Sequence, residues 1–153
     1  GRPIAVTPGN PASFCPSDRN KPDDLIDALA ARGGVIGCTL YPLFMGGAGV
    51  SRASYFRMVA DLAERIGVRH VAIGSDAVVG WAPDALGWMR NGRWDRPSDP
   101  DQIPAFPPWP PWFQGPEDFG SLAEGLDDAG FLPGERDAVL GGNWLRLFGE
   151  VFA

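Results

Sequence analysis

Histidine is nearly missing from this chain: His70 is the only one among 153 residues. A Ser-His-Asp triad or a histidine-rich metal site therefore has one residue to draw on. Ser13, Ser17 and Ser75 have no other base to recruit, and His70 precedes a strand, at the end opposite the active face of a barrel. Cysteine is scarce too. Cys15 and Cys38 form no CxxC pair, which leaves too few ligands for a structural zinc site and reads as two buried or half-buried thiols. No apolar run approaches the roughly 20 residues that span a bilayer. Lys and Arg number 13 against 19 Asp and Glu, interspersed, for a net charge of −6, so the clustered basic surface that nucleic acid or an anionic membrane requires is missing. Gly33-Gly34, Gly46-Gly47 and Gly141-Gly142 read as turn or cap glycines, and none has phosphate-loop spacing. These exclusions point to a soluble, cytoplasmic protein. The start at Gly1, without Met and without a secretory h-region, fits a fragment of a longer chain.

What is present suffices for a single folded unit over 1–153. A hydrophobic fraction of 44% and a charged fraction of 21% are those of a globular domain with a core. Short β-rich runs at 3–7, 35–41 and 70–76 read as strands. Asp23 to Arg32 and Tyr55 to Ile66 have helical spacing between them. Beyond residue 116 the chain turns helical. Pro116-Glu117-Asp118 places acids in a first turn, Leu122, Ala123, Leu126 and Ala129 share a face, and Gly130 ends it. Pro133-Gly134-Glu135 opens another helix that stops at Gly141-Gly142, and Asn143 caps the last one. The alternation predicts an α/β fold with a parallel sheet. Three parallel strands cannot close a barrel, so their edges require cover from another polypeptide or from self-association.

Sixteen prolines punctuate the chain, crowding between Pro97 and Pro116. Pro104 to Phe113 can form neither a regular helix nor a central strand. One reading is a polyproline ligand for a partner groove. The interleaved Trp109, Trp112 and Phe113 favour a long loop stapled to the body by aromatic burial and lying over the strand ends. A short helix from Pro83 to Arg90 interrupts that loop.

Val71-Ala72-Ile73-Gly74-Ser75-Asp76 is an apolar strand that stops at a carboxylate. A carboxylate at a strand C-terminus sits where α/β barrels place catalytic groups, although Asp76 can equally cap the next turn. Arg19 offers a bidentate fork to a carboxylate, or pairs at the surface with Asp18 or Asp23. Tyr41 ends its strand on the same side and either lines a pocket or plugs it.

Taken in order, Thr7-Pro8-Gly9-Asn10, Asp18-Arg19-Asn20-Lys21, the Asp76 segment, Trp88-Met89-Arg90-Asn91-Gly92-Arg93-Trp94 and Gly141-Gly142-Asn143-Trp144-Leu145-Arg146-Leu147-Phe148 resemble the membrane (renal) dipeptidase family, most closely its bacterial members. The resemblance runs through essentially the whole chain but over the C-terminal part of that fold alone. It implies a partial (β/α)8 barrel comprising its last three strands, and a zinc-dependent peptidase acting on dipeptides. It also implies that Arg19 holds the substrate carboxylate and that Asp76 is the acid/base carboxylate handling the proton of metal-bound water and of the leaving amine. One departure stands out. Where the family has Thr-His-Ala-Asn with a metal-ligating His, this chain has Pro8, which has no donor atom. The other ligands of the family, an early His-x-Asp, a bridging Glu and another His, belong to a first half with no counterpart in this sequence. Zinc is thus expected by resemblance, with no metal ligand supplied by this chain alone.

Three functions fit: the C-terminal part of a split or proteolysed dipeptidase completed by a polypeptide carrying the missing strands, a non-catalytic relative serving as a binding or structural subunit, or an interaction module built on the Pro/Trp loop.

Overall fold

The computed structural model describes residues 2–78 and 107–153. The expected helix from Pro83 to Arg90 and the Trp88–Trp94 phrase lie outside the described residues.

The sheet has three parallel strands, β1 (Ala5–Val6), β2 (Val35–Cys38) and β3 (Val71–Ile73), in the spatial order β1-β2-β3. All three are shorter than the sequence suggested. β2 leaves the ladder at Thr39, whose backbone bonds the Asn10 side chain, while past β3 Gly74 N still bonds Cys38 O and Ser75 O accepts from Leu40 N. Helix α1 (Asp23–Ala31) crosses from β1 to β2, and α2 (Arg52–Ile66) from β2 to β3. Asp23 and Asp24 occupy the first turn of α1, where the dipole favours acids. Ser51 caps α2, its Oγ accepting from Ser54 N at 3.1 Å, and Gly67 ends that helix at φ 89°. Beyond residue 107 come α3 (Phe119–Asp128), α4 (Pro133–Asp137) and α5 (Asn143–Phe152).

Alternation along the strands divides the core in two. Ile36 and Cys38 pair in register with Val71 and Ile73 and pack under α1, α2 and α3 against Ile26, Tyr55, Phe56, Val59 and Leu122. Val35 and Ala72 face the other way, onto Leu147 of α5, with Trp144 and Val151 beside them. On that second face Gly37 and Gly74 have no room for a side chain: a Cβ at either would stand within 2.6 Å of Thr7 Oγ1, and one at Gly37 within 2.7 Å of the Trp144 ring. The glycines let the chain leaving β1 lean across the sheet. Outside the core, Arg65 bridges to Asp23 and Asp27 of α1, and Arg52 to Glu124 and Asp128 of α3.

The sequence placed a helix stop at Gly141-Gly142 and a cap at Asn143. The structure differs. A π-helical segment, Ala138–Gly142, runs into α5 without a break, and Asn143 caps nothing. The reason is a stronger use for its amide. Buried Asn143 donates through Nδ2 to Val68 O and Val71 O, both at 2.8 Å. The wider π turn is the geometry that accompanies this reach. The neighbouring Trp144 donates through Nε1 to Ile73 O at 2.9 Å, and Arg146 to Arg69 O at 3.0 Å. Gly74 N bonds Cys38 O, so residues 72 and 74 address β2, while 71 and 73 point away from it. The carbonyls receiving Asn143 and Trp144 are therefore those on the outer side of β3. Among the described residues no further strand lies beside the opposite edge, β1.

Replacing Asn143 by Ala orphans the buried Val71 carbonyl and should cost about 1–3 kcal/mol in denaturant unfolding. Truncating exposed Arg57, paired only within α2 to Asp61, should change stability by less than about 0.5 kcal/mol.

Candidate active site at the strand ends

Parallel strands bring their C-terminal ends together, so the segments following β1, β2 and β3 converge on one side of the sheet. Buried amides organise them. Beyond the cis Thr7-Pro8 peptide, Gly9 N donates to Gly37 O at 3.0 Å, and the chain then buries Asn10 completely. The Asn10 carboxamide imitates a strand partner for Thr39: Oδ1 accepts from Thr39 N at 3.0 Å, and Nδ2 donates to Thr39 O at 3.1 Å. Nδ2 also donates to Phe44 O at 3.1 Å. Asn10 N in turn donates to Asn20 Oδ1 at 3.0 Å, and Asn20 Nδ2 reaches Cys15 O at 2.7 Å and Phe44 O at 2.9 Å. Buried Thr39 accepts from Tyr41 N at 3.0 Å through Oγ1, which turns the chain out of the sheet into a 3-10 segment, Pro42–Phe44.

Arg19, Tyr41 and Asp76 all fall at this end, on the segments after β1, β2 and β3 respectively. Asp76 has φ 60°, the one non-glycine residue with positive φ among the described residues. Asp and Asn tolerate that region better than other side chains. Partial desolvation pushes its carboxyl above the ordinary aspartate value of 3.8, and the Arg19 charge pulls it back down. That opposing pull places Arg19 within electrostatic reach of Asp76. The alternative pairing of Arg19 with Asp23 is not made: Asp23 is engaged by Ser13 Oγ at 2.9 Å and by Arg65. Tyr41 is nearly buried, its ring 5.1 Å from Phe44 and 6.0 Å, edge-on, from Trp109. Trp109 touches Phe113, and Trp112 donates through Nε1 to Val50 O at 2.9 Å while its ring meets Tyr55 and Phe56. The described end of the Pro/Trp loop is thus stapled beside Tyr41 by aromatic burial.

The described residues do not fit a metal. They contain no group of three His, Cys, Asp or Glu side chains able to hold an ion. Pro8 offers no donor atom, and His70 lies at the far end of β3 with Nδ1 2.8 Å from Gly34 O. No chemical step is routed through a metal on this chain. A cavity of about 410 Å³ opens elsewhere, between the 11–14 loop, α1 and α2, over Ile26, Met58 and Leu62. It lies in the helical layer on the flank of the sheet and shares no residue with the Arg19–Asp76 site. Among the described residues no helix is long and apolar enough to cross a membrane.

This arrangement sits in a known family. The model of the membrane dipeptidases, peptidase family M19, matches residues 1–89. The chain belongs to that family. A curated relative, dipeptidase aclJ of Aspergillus oryzae, is 28% identical across 97% of this chain, which spans 30% of that protein. Among solved structures, an amidohydrolase from Pseudomonas aeruginosa superposes over 98% of this chain and 46% of its own, with a TM-score of 0.81 and 24% identity. A metallo peptidase from Rhodobacter sphaeroides, liganded with a phosphinate mimic of the dipeptide L-Ala-D-Ala, gives a TM-score of 0.73 at 19% identity, covering 97% of this chain and 36% of that one. These structures share the fold. The chain is an α/β part of a TIM-type barrel, spanning less than half the length of each of these relatives.

Asn10, Asn20 and Thr39 escaped the sequence reading as organisers of the site. A polar residue between loop prolines gives no sign of burial.

Because the folded Asp76 carboxyl holds its proton more tightly than the unfolded one, this group's contribution to stability falls as pH rises from the ordinary aspartate value towards its raised folded value. Asp76→Asn keeps a side chain that accepts φ 60° and removes the charge. Thermal melts should show it more stable than the parent at neutral pH, with the difference vanishing in acid below the ordinary aspartate range.

Proposed function

We propose that this chain is the C-terminal part of a metal-dependent dipeptide hydrolase, contributing the substrate-carboxylate arm and the proton-handling carboxylate. The observation that carries the reading is the convergence of Arg19 and Asp76 at the C-terminal ends of parallel strands in a chain of the dipeptidase family. Arg19 presents a guanidinium fork, suited to a terminal carboxylate. Asp76, raised by desolvation, is the more ready to take up and release a proton. Tyr41, backed by Phe44 and Trp109, forms an aromatic wall alongside. Zinc, implied by the family, would be held by residues from the rest of the fold and would supply an activated water.

A polypeptide with the remaining strands would add beside β1, since the outward carbonyls of Val71 and Ile73 on the other edge are already taken by Asn143 and Trp144. The isolated chain would then be inactive. Pro8 favours a second reading, a non-catalytic relative retained as a binding or structural subunit, because it removes a ligand even when the remaining fold is present.

Co-expression with the part of the Pseudomonas amidohydrolase outside the match, with zinc and L-Ala-D-Ala as test substrate, separates the two. Hydrolysis that falls at least roughly 100-fold in Asp76→Asn supports the enzyme. A folded complex without hydrolysis supports the subunit. Pro8→His in the isolated chain should yield no hydrolysis under either reading.

A further inference from the structure

We propose that Asn20 is a positioning residue: its buried carboxamide fixes the loop that carries Arg19 over the strand end that carries Asp76. The proposal rests on reading Arg19 and Asp76 as one site, but it concerns their geometry and not whether the chain hydrolyses anything.

Asn20 is 4% exposed, whereas Asp18 and Arg19 just before it are exposed. Its carboxamide and its backbone N–H are engaged. Oδ1 accepts from Asn10 N, Nδ2 donates to both Cys15 O and Phe44 O, and the backbone N–H donates to Ser17 Oγ at 3.1 Å. These bonds tie together three separate pieces: the exit of β1, the 15–20 loop and the turn that follows Tyr41. Asn10 shares the Phe44 carbonyl with Asn20, so the two amides clamp that turn jointly.

Arg19 has no hydrogen bond or ion pair of its own among the described residues, and four rotatable bonds separate its charge from the backbone. Its reach towards Asp76 is therefore set by where its Cα is held, one residue from Asn20. Loops without regular structure drift unless their polar groups are tied down. Backbone bonds of Lys21 with Asn10 and Ala12 close the base of this one, and the Asn20 carboxamide ties it to the turn after Tyr41. Only a carboxamide meets the requirement of one acceptor and two donors in a fixed fork. Aspartate at position 20 would face the Cys15 and Phe44 carbonyls without a proton to give.

Arg19 is the one charged side chain that acts on Asp76 among the described residues, so the titration of Asp76 reports Arg19's position. Following the Asp76 carboxyl by NMR at low ionic strength, where screening is weak, tests the idea in the chain itself. Arg19→Gln should raise the Asp76 midpoint and sets the upper limit. Asn20→Ser should raise it towards that limit without passing it, and in the Arg19→Gln background should raise it no further. A rise of equal size in both backgrounds would show that Asn20 acts on the site generally and would overturn the proposal, as would an unchanged midpoint in Asn20→Ser. If Asn20→Ser does not fold, Ser17→Ala loosens only the Asn20 N–H and should produce a smaller shift of the same sign, abolished by Arg19→Gln. No shift, or one that persists without Arg19, would count against the positioning role.

Discussion

The strand ends depend on one unusual pairing, the Asn10 carboxamide against the backbone of Thr39. A parallel ladder needs alternating donors and acceptors from a neighbouring strand, and β1 stops supplying them after Val6. Asn10 supplies both from a side chain, meeting the Thr39 N–H and C=O at 3.0 and 3.1 Å. The chain after β1 is thereby free to turn away as a loop without leaving buried polar groups unsatisfied. The placement of Phe44, the seating of Asn20 and the exit of Tyr41 all follow from that substitution of amide for strand.

Much of the fold was legible because it rests on local signals. The helical spacing of 55–66, the acids at 23 and 24 and the glycine at 67 each specify α2 or α1 without reference to distant residues. The existence of the strands and their parallel arrangement were legible for the same reason, since short apolar runs alternating with helices admit few topologies. What the sequence hid was non-local. Asn143 has the chemistry of a helix cap, and only the nearness of Val68 and Val71 in space diverts it. The strand lengths were overestimated because apolar character continues through Leu40 and Tyr41, while hydrogen bonding passes to side chains. Arg19 and Asp76 could be named in sequence, but their mutual electrostatic reach depends on two amides whose burial no local pattern announces.

Asp76 concentrates two local costs, a positive φ and partial desolvation of an acid. Residues that fold less comfortably than their neighbours mark places where stability has been given up for another requirement. The described surroundings offer a single compensating charge, Arg19, itself exposed. Among the described residues the site is thus electrostatically lean.

The Asn143 and Trp144 bonds to β3 span 72 and 71 residues of sequence. On a ribosome, β3 is therefore made long before the groups that shield its outer carbonyls emerge. Until α5 is synthesised the outward carbonyls of Val71 and Ile73 lack the partners that Asn143 and Trp144 later provide. For that interval the growing chain is a substrate for chaperones, or for another strand, to a degree that the finished molecule is not.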